Sequence, residues 1–171
     1  MLTMKRSAVL FFAFLILVSA LASCKSQEPQ KSCREILGIL TDCEIGLPAG
    51  KFYSLSATES DGEYLSDSLI SSLLGGGSYP EIANDWLDCA FYLSLGGHPC
   101  EFDIILCKSH DAAEDTARLL NARLSAIKIT KTAHEYAKMI ENAKVTVTGN
   151  YAILIISTDS GNALKVFLKN K

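Results

Sequence analysis

Five side chains in the middle of the chain carry sulfur or imidazole groups that could bind a metal ion. Structural zinc sites commonly join two close ligand pairs, such as Cys-x2-Cys with His-x3-His, whereas the spacing here is C-x8-H-x-C-x6-C-x2-H. This spacing favours buried apolar cysteines at Cys89 and Cys100. A metal site that uses His98, or His110 with Cys107, stays an open alternative. The five residues are Cys89, His98, Cys100, Cys107 and His110.

Cys107 is the thiol whose neighbours could matter most for chemistry, because Glu101 and Asp103 alternate with it on one face of the same segment. A cysteine nucleophile needs a positioned base, and no nearby residue supplies one. The triplet at residues 75–77 (GGG) lacks the lysine of a phosphate-binding loop. We therefore expect no catalytic, metal or cofactor-binding residue, and no enzymatic activity.

A sixth cysteine, Cys24, lies where an apolar run meets a polar one. Lys5 and Arg6 precede an uncharged stretch, residues 7–24, which is typical of a secretory signal peptide. Its end, LASC, resembles the lipobox of bacterial lipoproteins, in which the cysteine sulfur receives diacylglycerol after cleavage between Ser23 and Cys24. A retained membrane helix, which needs about 20 apolar residues, and a chance cysteine behind an ordinary signal peptide are the alternatives.

Cleavage before Cys24 would remove 23 of the 171 residues and leave 148, enough for one ordinary domain. Residues 24–32 would form a lipidated, polar tether and residues 33–171 the domain. A net charge of −3 disfavours nucleic acid as a partner. The expected partners are the membrane, reached through the lipid at Cys24, and an envelope protein or small ligand that the sequence does not identify. Five cysteines remain (Cys33, Cys43, Cys89, Cys100 and Cys107), and an odd number predicts at least one free thiol or an intermolecular bond.

Four helix starts are predicted by capping boxes, in which a capping residue precedes a glutamate by three positions. Apolar residues at helical spacing follow the first three. Residues 75–77 are expected to end the second helix and to act as a flexible connector. The four pairs are Ser32/Glu35, Ser60/Glu63, Asp111/Glu114 and Thr132/Glu135.

Two β-hairpins are predicted between these helices. In the first, residues 87–95 (LDCAFYLSL) alternate, residues 96–99 turn the chain, and residues 100–106 return. A four-residue loop would place Leu93 opposite Phe102 and Phe91 opposite Ile104. Cys89 and Cys100 would then share one face, about 20 Å apart at 3.3 Å per residue, and Cys107 would lie on the other.

The second hairpin joins residues 145–148 to residues 151–156 (YAILII) through Gly149 and Asn150. Its return strand is apolar on both faces and is expected to be central and covered. Each hairpin is followed by Ser-x-Asp and a helix, so the order hairpin–helix occurs twice. We therefore expect an α+β fold, a single domain with a mainly antiparallel sheet packed against helices.

Several stretches together resemble one family of bacterial lipoproteins, known as domain of unknown function 4358. They are the lipobox, GLPAGKFYSL, SYPEIANDWLDCAFYLSLGGHPCEFDIILCKS, AAEDTARLLNARLSAIK and NAKVTVTGNYAILIISTD. The likeness spans about residues 33–167. It departs at residues 97–102 (GHPCEF), where such proteins place a small and an acidic residue before Glu-Ile. The resemblance implies an extracytoplasmic lipoprotein and brings no catalytic residues.

The function expected from the sequence is that of a lipid-anchored, non-enzymatic binding or interaction domain at the cell envelope. The candidate contact surfaces are a face of the sheet and residues 75–86. In the second, Tyr79 and Trp86 would be aromatic anchors, although burial of Trp86 in the core is at least as strongly expected. The alternatives are an envelope enzyme with dispersed site residues, and a metal- or thiol-binding protein that uses the first hairpin.

Overall fold

An antiparallel sheet organises the structure, a computed structural model that describes residues 31–130 and 132–171. The predicted cleavage site and lipidation site, Ser23 and Cys24, lie outside the described residues. In the described part, five strands pair in the order β1-β2-β3-β5-β4. They are β1 (Gly50–Ser54), β2 (Trp86–Ser94), β3 (Glu101–Cys107), β4 (Lys144–Thr148) and β5 (Tyr151–Ile156).

The helices cover both faces of this sheet. α3 packs on one face, while α1 and α6 pack together on the other. The helices are α1 (Cys33–Asp42), α2 (Asp67–Leu73), a 3-10 helix (Glu81–Asp85), α3 (His110–Lys128), α4 (Thr132–Glu135), α5 (Ala137–Glu141) and α6 (Ser160–Asn170). Among the described residues, none of these helices has both the length and the apolar character needed to cross a membrane.

The predicted α+β fold is confirmed, and Lys31–Lys171 forms one compact unit. Both predicted hairpins are present, as β2–β3 and β4–β5. β5 is buried along its whole length and lies between β3 and β4, as its two apolar faces predicted. β1 was not predicted. It adds an edge strand antiparallel to β2.

The predicted helix starts have mixed outcomes. The first is confirmed, because the Ser32 hydroxyl accepts from the Glu35 N–H at 3.2 Å and Glu35 accepts from the Ser32 N–H at 2.7 Å. The second is wrong. Its region forms a turn in which Asp61 accepts from the Thr58 N–H, and α2 starts later, capped by Ser66.

The other two starts lie close to their predicted positions. The cap of α3 is Ser109 rather than Asp111, and its hydroxyl accepts from the Ala112 N–H at 3.1 Å. α4 begins at Thr132. The glycine triplet follows α2, and Gly76 and Gly77 have φ angles of 60° and 100°, which glycine adopts without the strain that a side chain adds.

The predicted register of the first hairpin is wrong by one residue. Leu93 lies opposite Glu101, and Phe91 lies opposite Asp103 rather than Ile104. The connecting loop is longer than four residues, since the Ser94 N–H donates to the Cys100 carbonyl at 3.2 Å. Both faces of β2 and β3 are also covered, so apolar alternation could not choose between them.

This register moves the cysteines to faces other than those predicted. Cys89 and Cys107 lie together in the core beneath α3, whereas Cys100 lies in the core beneath α1 and α6. Glu101 and Asp103 share the α3 face with Phe91. Two carboxyl groups are therefore buried between the sheet and α3.

Candidate ligand-binding site

The five candidate metal and thiol residues are not brought together at one site: Cys89 and Cys107 lie in the core beneath α3, whereas His98 and Cys100 lie at the β2–β3 loop. His110 Nδ1 lies 2.7 Å from the Gly149 carbonyl oxygen, and His110 Nε2 lies 3.5 Å from Glu114. The nearby Cys107 sulfur instead lies 3.5 Å from the Thr116 hydroxyl inside the core. Within residues 31–130 and 132–171, no group of three or more His, Cys, Asp or Glu side chains could hold a metal ion.

All five cysteines of the described part are free, and only Cys43 is exposed. Burial raises the pKa of the Cys100 thiol to about 12 and also raises the pKa of Cys33, Cys89 and Cys107. A thiol held in its protonated form is a poor nucleophile. The predicted burial of Cys89 and Cys100 is confirmed.

A buried ion pair joins α3 to β3. Arg123 Nε donates to Glu101 Oε1 at 3.1 Å, and Arg123 Nη2 donates to Glu101 Oε2 at 2.9 Å. The Glu101 side chain is 6% exposed and that of Arg123 is 25% exposed. Burial alone would lower the pKa of Arg123, but the hydrogen bonds and charge of Glu101 outweigh it and raise that pKa. The guanidinium is thus held charged in a fixed orientation.

Asp103 lies beside this pair and is 1% exposed. Neither of its carboxyl oxygens meets a hydrogen-bond donor among the described residues, because the neighbouring Glu101 carboxylate is itself an acceptor. Burial and the Glu101 charge raise the pKa of Asp103 well above its usual value, although Arg123 opposes the shift. Once protonated, Asp103 has a hydrogen to donate to Glu101, which explains how the two carboxyl groups can lie side by side.

The exposed side of the Glu101–Arg123 pair lines a cavity of about 290 Å³. It opens between the β2–β3 loop and the end of α3. Residues from both elements complete the wall, namely Leu93, Ser94, Gly97, His98, Pro99, Cys100, Ile127 and Thr130. Asp103 is not part of this wall. The cavity therefore exposes one charged group of each sign, together with apolar surface.

His98 presents a second polar group to this cavity. Its Nδ1 accepts from the Cys100 N–H at 3.1 Å, so in the neutral ring the proton lies on Nε2. The ring also packs against Tyr136, with the centroids 4.4 Å apart. His98 is thus held in one tautomer with an N–H donor available.

The sequence contains a signal for this site that the cysteine and histidine spacing does not reveal. Two carboxylates alternate in an otherwise apolar strand, and Arg123 lies between Leu120, Leu124 and Ile127 of the buried face of α3. Buried charges are rare unless they are paired. An acidic strand face and a single basic residue on a buried helix face therefore indicate an ion pair between the strand and the helix.

The two aromatic residues of the predicted contact surface differ in their exposure to solvent. Trp86 is 7% exposed, and its indole Nε1 donates to the Thr116 hydroxyl at 2.9 Å. Trp86 is therefore a core residue, and its role as a contact anchor is wrong. Tyr79 is 38% exposed.

The comparisons with known proteins give no match: no family model, no curated protein and no solved structure matches the chain. The class of the protein is therefore described from its fold and its site alone. The described part of the chain is an α+β domain with a small, partly polar cavity at one end of its sheet.

Proposed function

We propose that the protein is a lipid-anchored, extracytoplasmic, non-enzymatic domain that binds a ligand in the cavity beside Arg123. The observation that carries the proposal is the position of the guanidinium. Arg123 is held by Glu101 at the wall of an open cavity, with hydrogen-bond donors left over. A fixed donor group in a concave, partly apolar site is typical of small-ligand recognition.

The non-enzymatic part of the proposal is supported by the state of the reactive groups. The cysteine that lines the cavity, Cys100, is a buried thiol with a raised pKa. Glu101 is engaged by Arg123 through both of its oxygens. Groups in this state are suited to binding, since neither is free to act as a nucleophile or a base.

The localisation is supported by the sequence alone. The signal-like segment ends in a lipobox-like LASC, and the resemblance to the lipoprotein family of domain of unknown function 4358 points the same way. The signal-like segment would carry the domain across the cell membrane. Acylation at Cys24 would then hold it at the outer face, because two or more acyl chains give stable anchoring.

An envelope enzyme is the second candidate, and one observation favours it. Asp103 and Glu101 are neighbouring carboxyl groups in unlike environments, and such pairs can divide acid and base roles. Asp103 does not line the cavity, however. An enzyme at this site would need Asp103 to exchange protons with a ligand through Glu101.

The anchor is tested by the intact mass of the protein from bacterial membranes. We expect a chain that starts at Cys24 and carries diacylglycerol, and a Cys24→Ser variant that loses the lipid mass and the membrane association. A wild-type chain without lipid would contradict the anchor.

Binding is tested by NMR spectra of the protein during a screen of small metabolites. Shifts confined to the cavity residues support the proposal. Ligands that bind only elsewhere, or turnover of a bound compound that Asp103→Asn abolishes, would contradict it.

A further inference from the structure

We infer that the ligand of this cavity is a small aliphatic carboxylate, bound by Arg123 and His98. The inference rests on the proposed binding function and names the chemical class of its ligand. Three features of the cavity support this ligand class: the donors of the lining residues, the local charge, and the size and polarity of the walls.

The guanidinium of Arg123 has donors to spare. It carries five N–H groups, and Nε and Nη2 use one each on Glu101. Within the described residues, no other acceptor is hydrogen-bonded to Arg123, so both N–H groups of Nη1 are available. Because Glu101 already fixes the planar fork, a ligand would not have to order it, which favours binding.

His98 supplies a second donor on the same wall. The hydrogen bond from the Cys100 N–H to Nδ1 places the remaining proton on Nε2. Other polar groups of the wall are satisfied internally. The Ser94 hydroxyl donates to the His98 carbonyl, and the Thr130 hydroxyl donates to the Ile127 carbonyl at 2.8 Å. The remaining donors of Arg123 and His98, which both line the cavity, suit the two oxygens of one carboxylate.

The charge of the site favours a monoanion. Glu101 balances the charge of Arg123 at the cavity wall, and Asp103, whose pKa is raised by burial, does not line the cavity. The site is thus near neutral rather than acidic. A single negative charge can be held by the free donors, whereas a phosphate dianion would meet stronger repulsion from Glu101.

The walls favour a short apolar tail on that anion. Leu93, Pro99 and Ile127 contribute apolar surface to a cavity of about 290 Å³. This volume is about ten times the share of liquid volume that one water occupies. A carboxylate with a few carbon atoms fits it, and apolar burial would add to the affinity.

The test uses the full chain in a non-ionic detergent, with sodium butyrate as the probe and butyramide as its neutral counterpart. The readout is the 15N–1H signal of Arg123 Nε, identified by its absence in Arg123→Lys. We expect butyrate to shift this signal saturably and butyramide to leave it unchanged. Arg123→Lys should weaken butyrate binding, measured by calorimetry, about 10- to 100-fold, as loss of a hydrogen bond to a charged group does.

Two further variants keep the test decisive if Arg123→Lys unfolds. Thr130→Trp narrows the cavity without removing a charge and should also abolish the butyrate-induced shift. Arg118→Lys changes an exposed arginine of the same helix that pairs with Asp115, and it should bind butyrate as the wild type does.

A tripeptide with a free C-terminus, compared with the same tripeptide as its C-terminal amide, distinguishes binding of a free small acid from binding of a peptide end.

The outcomes separate this inference from the proposed function. Binding of butyramide or inorganic phosphate in the cavity, without binding of butyrate, would overturn the carboxylate class and leave the binding function standing. If only the tripeptide acid binds, the small aliphatic acid is the wrong ligand, and the site binds the carboxylate of a peptide end instead. If none of these probes and no member of the metabolite screen shifts a cavity residue, both proposals are wrong.

Discussion

Arg123 and Glu101 form a two-point ion pair across the interface between α3 and β3, with N–O distances of 3.1 and 2.9 Å. Asp103 lies two residues further along β3 on the same buried face. No described residue donates a hydrogen bond to either of its carboxyl oxygens. The three side chains add charged groups to a core beneath α3 that is mainly apolar. Their mutual dependence leads to the first two predictions.

Removing one partner of the pair should cost more than removing both. Arg123→Met would leave Glu101 buried and unpaired beside Asp103, and we expect a loss of about 3–5 kcal/mol in the free energy of unfolding. The double variant Glu101→Leu/Arg123→Met should recover most of this loss, since apolar replacement of a whole buried pair is often neutral. Urea denaturation measures both, and Arg118→Met, at an exposed position, is the matched control. A double variant no more stable than Arg123→Met would contradict the pairing.

Asp103 should make the domain less stable as the pH rises. Its folded-state pKa lies well above the ordinary 3.8, so the folded state binds this proton more tightly than the unfolded state does. Its contribution is fully present below about pH 4 and is lost as the pH rises toward the folded pKa, at up to about 1.4 kcal/mol for each pH unit.

Asp103→Asn should remove this pH dependence and gain stability over the wild type as the pH increases. The asparagine amide can still donate to Glu101. Urea midpoints measured from pH 4 to pH 8 check the prediction, and the exposed Asp115→Asn should follow the wild-type curve. Parallel curves for wild type and Asp103→Asn would show that Asp103 is ionised in the folded protein.

Thiol reactivity should single out Cys43. It is the one exposed cysteine of the described residues, whereas Cys33, Cys89, Cys100 and Cys107 are buried. Brief alkylation of the folded protein should therefore add one group, and alkylation in denaturant should add five to residues 31–171. The intact mass gives both numbers. Native labelling that persists in Cys43→Ser would show that a buried thiol becomes accessible through local opening.

The hydrogen bond between Trp86 and Thr116 should be measurable by fluorescence. The protein has one tryptophan, and its Nε1 donates to the buried Thr116 hydroxyl at 2.9 Å. Thr116→Val keeps the shape but leaves the indole N–H unpaired, at a cost of about 1–3 kcal/mol. The wavelength of maximum fluorescence emission of Trp86 should also change in Thr116→Val. Thr146→Val on the edge strand β4 serves as the control, and a stability loss equal in both variants would argue against this bond.

Much of the architecture could be predicted from local patterns. The apolar run of residues 151–156 marked β5 as a covered strand, and Gly149 with Asn150 marked its turn, because these signals depend on neighbours in the chain. The capping pair Ser32/Glu35 is local in the same way. A pattern of this kind fails where a rival local bond exists, as in the turn at Thr58 and Asp61.

The register of β2 against β3 depended on the tertiary structure. Alternating apolar residues show which side chains point to the core only if the other face of the sheet is exposed to solvent. Here α3 covers one face, and α1 and α6 cover the other. The predicted four-residue loop is therefore too short, because the Ser94 N–H pairs with the Cys100 carbonyl, and Cys89 and Cys100 lie on opposite faces of the sheet.

What the sequence by itself determined is the two hairpins, most of the helices, the order of these elements and the burial of Cys89 and Cys100, since each follows from propensity and polarity along the chain. The partnership of Arg123 with Glu101, and the cavity beside it, arise only when α3 crosses the face of β3 that carries the carboxylates. The two residues are 22 positions apart, and their attraction is strong only because folding removes most of both side chains from water.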